Sequence, residues 1–222
     1  MQQAKQGRGR RRQIIGIILG ALALAAIYVC LPRHADLTRF DPGRMAHLET
    51  DMWRDYYDKR YLALFGNLYE VARGEYGFSP LDSFRLALAA ASAAKAFQPT
   101  TSREQAEAAL PALTDYFGIL SGAAPAPIEV EDAARTELAW WQARREAVTP
   151  EDYGLIIARV ATLVYGVDGE DLRRSGVIRA QAMAYRDAHE AAMSEADWSA
   201  IADQLDLAYG LLKKALSAAV HG

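Results

Sequence analysis

Cysteine is nearly absent from this chain: Cys30 is the only one among 222 residues. No intramolecular disulfide can form. No CxxC, CxxCH or Cys/His zinc spacing exists, which excludes covalent c-type haem, thioredoxin-like chemistry and cysteine-based zinc sites. P-loop, GxGxxG, GxSxG and HExxH signatures are missing too. Nucleotide-driven chemistry and the common hydrolase reactions therefore have no sequence support, and no cofactor is implied. No stretch shows sustained strand alternation with β-branched residues between turn signals, so strands are not expected. Asp and Glu are absent from the first 35 positions, where six of the 25 basic residues lie; the remainder carries 19 basic against 28 acidic residues, a balance of −9. A body that acidic argues against nucleic-acid binding, which rests on a cationic surface.

What the first positions do hold is an apolar run, Ile14–Leu31, uncharged over 18 residues and preceded by Arg8, Arg10, Arg11 and Arg12. Eighteen helical residues span about 27 Å, close to the thickness of a hydrocarbon core. The run predicts a single transmembrane helix in a lipid bilayer. Arginines hold their flank in the cytoplasm. Residues 1–13 are then a basic cytoplasmic tail, 14–31 the anchor in the cytoplasmic (inner) membrane, 32–41 a short linker, and 42–222 a domain outside the cytoplasm. A cleaved signal peptide and a lipoprotein cysteine at Cys30 are the competing readings, and all three export the body. Gly16, Gly20 and Ala23 place small residues along one helix face, a spacing that lets two membrane helices approach and so allows a homodimer.

The body reads as all-α, about seven helices in a compact bundle, with a short α-solenoid as the alternative. Asp41-Pro42 opens a helix running to about Arg73, with Trp53, Tyr57, Tyr61, Leu64, Leu68 and Val71 on one face. Ser79-Pro80-Leu81-Asp82 and Thr149-Pro150-Glu151-Asp152 repeat one cap grammar, and Ser194 with Asp197 gives a third such start. The alanines of Leu86–Ala94 favour close helix packing and predict an inner helix. Pro111 kinks or splits the helix capped by Ser102 and Gln105. Leu155–Tyr165 carries only Arg159 as a charge, which predicts a central helix.

Candidate chemistry is sparse. His47 with Asp51, and His189 with Asp187 and Glu190, are the material for a metal site, but the Glu-x-x-His pairs of a ferritin-like centre are missing; no metal ligand is assigned. Glu49, Glu70 and Glu137 sit beside apolar or aromatic residues, where burial raises a carboxyl pKa. Glu137 shares a helix face with Trp141. Adjacent Trp140 and Trp141 point different ways on a helix, which predicts that one of them faces a second packing surface. Glu70, Glu137, Trp140, Trp141 and His189 are the candidate pocket or interface.

With an anchor, a short tether, an acidic helical body and no catalytic motif, the leading expectation is a membrane-anchored extracytoplasmic scaffold or accessory subunit of an envelope complex, bound to a protein partner. The alternative is an envelope enzyme or a small-ligand or metal-binding helical domain using carboxylates between helices.

Overall fold

A computed structural model describes residues 2–31 and 33–221, the side chains of 2–13, 30, 220 and 221 excepted. Among the described residues the chain is all-α. Helix α1 (Gln2–Cys30) stands at the N-terminal side. Nine helices follow: α2 (Pro42–Tyr57), α3 (Tyr61–Glu70), α4 (Pro80–Phe97), α5 (Arg103–Ala106), α6 (Leu110–Ser121), α7 (Val130–Arg145), α8 (Pro150–Tyr165), α9 (Glu170–Ala188) and α10 (Glu195–His221).

The expected seven body helices become nine because two of them break. The first ends at Asp58, where Lys59 takes a left-handed turn at φ 59°. Asp55 secures the break. It is buried, and its carboxylate accepts from Arg60 Nε at 2.8 Å and from Asn67 Nδ2 at 3.0 Å. Proline makes the other break: Pro111 sits in the first turn of α6, after a 3-10 turn at Glu107–Ala109. The three cap signals hold. Ser79, Thr149 and Ser194 each accept from the backbone N–H of the Asp three residues on, at 3.1, 3.2 and 3.3 Å.

The eight longer body helices form a closed ring. Each packs against the next in sequence (α2, α3, α4, α6, α7, α8, α9, α10), and α10 returns to α2. Short connections between side-by-side neighbours make them antiparallel. The bundle thus shares the neighbour-only contacts of a solenoid but closes on itself. The helices expected to lie inside are staves of this ring instead. On α8, Leu155 and Arg159 face solvent. The tightest seam is α8 against α9: a Cβ on Gly154 would stand 2.6 Å from the Val177 Cα.

One end of the ring is plugged by the segment before α2. The expected linker is no free tether there: Leu37 and Phe40 are fully buried. Lys213 Nζ donates to the carbonyls of Thr38 and Phe40 at 2.6 and 3.0 Å. Phe40 packs edge-on against Tyr76 and Tyr209.

The transmembrane span expected over Ile14–Leu31 is not supported: among the described residues no helix is long and apolar enough to cross a membrane. The side chain of Cys30, and Pro32 at the start of the expected linker, lie outside the described residues, as do the side chains of Arg8, Arg10, Arg11 and Arg12. Every described side chain of Ile14–Val29 is exposed, and nothing stands within 4 Å of a Cβ placed on Gly16 or Gly20. Helix α1 touches α4, and Arg33 stacks on Tyr28.

Candidate functional site

The ring encloses a lumen of about 440 Å³, lined from every one of its eight helices. Small side chains make the room. Ala87, Ala90, Ala91 and Ala94 recur at helical spacing on the inner face of α4, and Ala158, Ala161, Gly176 and Ala208 face them from α8, α9 and α10. Most of the remaining wall is Leu, Val, Met and aromatic. A volume of this size lies in the range of small-molecule sites, roughly 300–1,000 Å³.

A second hollow of about 180 Å³ adjoins the lumen and shares Trp53, Tyr56, Ala94, Trp140 and Trp141 with it. Tyr57, Phe97 and Arg144 complete it. These residues come from the C-terminal turns of α2, α4 and α7, at the end of the ring opposite Phe40. Arg144 is held there by Asp187 at 2.7 Å and donates to the Tyr57 hydroxyl at 2.8 Å. The hollow is an aromatic vestibule beside the lumen, sharing its Trp140 and Trp141 wall.

Three charged residues line the lumen: Glu49, Glu137 and Arg179. Glu49 on α2 is buried and pairs with Arg179 on α9, whose Nε and Nη2 stand 2.8 and 2.6 Å from the same carboxylate oxygen. The other oxygen accepts from the Tyr209 hydroxyl of α10. The Arg179 side chain is 31% accessible even though protein surrounds it, because its free edge faces the lumen. An ion pair satisfied from three helices is the geometry in which buried charges persist.

Glu137 on α7 differs. It accepts from the Trp141 indole N–H at 2.9 Å and makes no ion pair among the described residues. Burial pushes its carboxyl above the ordinary range, while the Arg179 charge and the Trp141 indole pull the other way. The Trp140 indole N–H is buried with no hydrogen-bond partner. The rings of Trp140 and Trp141 stand nearly perpendicular, 80° apart with centroids 6.1 Å apart. Tyr76, Tyr116, Tyr165 and Tyr209 also line the lumen. Burial raises all four phenols, Tyr165 to about 12, so they act as neutral donors and acceptors at neutral pH.

Of the five candidates from sequence, Glu137, Trp140 and Trp141 converge on the lumen and two do not. Glu70 pairs with Arg44 at the surface. His189 is exposed at the end of α9, stacked on Tyr185, with Nδ1 2.7 Å from the Tyr185 carbonyl oxygen. His47 and Asp51 are exposed on α2. Trp140 and Trp141 both border the lumen but pack to different sides, Trp140 against Tyr153, Ile157, Ala180 and Met183 of α8 and α9 and Trp141 against Phe97 of α4. Sequence reasoning missed Arg179 and Tyr209. The signal for Arg179 is a lone charge in the small and apolar stripe Leu172, Gly176, Ala180, Met183, all buried.

The fold and site define a closed helical ring around a ligand-sized, largely apolar lumen. Compared with protein-family models, with curated proteins and with solved structures, the chain matches none.

Proposed function

We propose that this protein is a membrane-tethered small-molecule-binding domain whose ligand, mostly apolar, occupies the lumen. The observation that carries this reading is the lumen itself, about 440 Å³ lined by all eight ring helices. A void of that size forfeits dispersion contacts and stability, of order 24 cal/mol per Å³ where cavities have been made by truncation. The row of alanines on its α4 wall, faced by Ala158, Ala161, Gly176 and Ala208, is the pattern of a space kept open. Glu49 is committed to Arg179 and Tyr209, which leaves Glu137 without the second free carboxylate that glycoside hydrolysis needs. Binding therefore ranks above catalysis.

Helix α1 is the tether in this reading, with its apolar run in the bilayer and its arginines on the cytoplasmic side. The ring then lies outside the cytoplasm with its plugged end, next to α1, toward the membrane. The vestibule faces away from it.

A second reading, the scaffold or accessory subunit, has its own observation. Tyr61, Leu62, Leu81, Phe84 and Leu88 are exposed on adjacent α3 and α4, Leu62 at 92%. An apolar strip on an outer face suits a protein partner.

The test uses the full chain in lipid nanodiscs, with empty discs as the blank. Three of the four tryptophans (Trp53, Trp140, Trp141) line the lumen. Tryptophan emission responds saturably to octanol in the unaltered protein, and Ala91→Phe, which fills the lumen, abolishes the response. An unchanged response in the filled variant would sink the reading.

A further inference from the structure

The lumen has a charge left over. Its two carboxylates, Glu49 and Glu137, face one guanidinium, Arg179, and that guanidinium is already engaged by Glu49. An ionised Glu137 in an apolar cavity is costly without a counter-charge. A neutral ligand leaves that cost in place, and an anionic ligand adds to it. A cation removes it. The wall beside Glu137 is built for one as well. Beside Glu137 the Trp140 and Trp141 rings stand nearly perpendicular; the Arg179 guanidinium already lies over Trp140, 5.9 Å from its centroid, and Trp141 is the indole through which an ammonium group can gain cation–π attraction. Trp141 holds the carboxylate in place by its indole N–H.

Resting on the ligand-binding reading above, we propose that the lumen takes an organic cation, an amine or quaternary ammonium carried on an apolar body. Its charge sits against Glu137 and the Trp141 indole, and its hydrocarbon part lies along the alanine face of α4. The vestibule supports this order of contacts, because Trp141 is part of the wall it shares with the lumen. The Glu49–Arg179 pair stays intact and bounds the charged region on the α2–α9 side.

Three probes of matched length decide it: octyltrimethylammonium, octanol and octanoate, each titrated below its micelle-forming concentration against tryptophan emission of the full chain in nanodiscs. The cation binds at least tenfold more tightly than either of the others. Glu137→Gln, which keeps the shape and the Trp141 hydrogen bond, brings the cation down to the affinity of octanol. If octanol or octanoate binds as tightly as the cation in the unaltered protein, the cation inference falls while the ligand-binding reading stands. If no probe binds, or if all three still bind after Ala91→Phe, both fall. The ranking in the unaltered protein needs no variant, so a folding defect in Glu137→Gln would not rescue the proposal.

Discussion

Glu137 is the residue whose behaviour separates a working lumen from an ordinary core. A carboxyl raised in the folded state binds its proton more tightly there than in the unfolded chain. Stability is then greatest below the ordinary carboxyl range and falls as pH climbs through that range to the raised value, above which it is flat. The groups facing it are Arg179 from α9, Glu49 from α2, Tyr116 from α6 and the two indoles of its own helix. We expect Glu137→Gln to raise the melting temperature of the ligand-free protein at pH 7 and to leave it unchanged near pH 4. A variant that melts lower at pH 7 would mean that Glu137 is stabilised by a partner and is not a spare charge. Glu137 and Trp141 were legible in the sequence because they lie four residues apart on one helix, where side chains meet. Glu49 and Arg179 are 130 residues apart, and no local pattern records a pair made by ring closure.

At the scale of elements, helix starts and the break at Pro111 were legible, and the break after α2 was not. Caps are local: Ser79, Thr149 and Ser194 reach only three residues ahead. The break at Asp58–Arg60 contains no Gly or Pro, and the apolar spacing continues straight through it from Trp53 to Val71. What ends α2 is Asp55, bonded to Arg60 and Asn67, and a bond to a residue 12 positions on is set by how α3 folds back. The alanines of α4 show a different limit. Small residues permit close helix packing, and they equally line a void; the sequence pattern is the same for both. The seam between α8 and α9 is the place where smallness does serve close packing. Gly154→Ala brings a methyl onto the Val177 backbone and should cost about 2 kcal/mol, read as a drop in the thermal unfolding midpoint. A change within a few tenths of a kcal/mol would show that the seam is looser than described.

For the whole molecule, fold class was readable from helical periodicity alone, whereas ring closure was not. Neighbour-only contacts are common to an open solenoid and a closed ring, and the difference is the single seam of α10 on α2. That seam converts a row of helices into a container. It also explains why Glu49, Glu137 and Arg179, from three different helices, meet at one space. Native mass spectrometry of the full chain, purified from the cells in which it was made, tests this most directly. The expected spectrum shows the unaltered protein carrying one small, largely apolar molecule per chain and Ala91→Phe carrying none. Unaltered protein that emerges at its bare mass, or a filled variant that retains the same adduct, would contradict the lumen as a binding site.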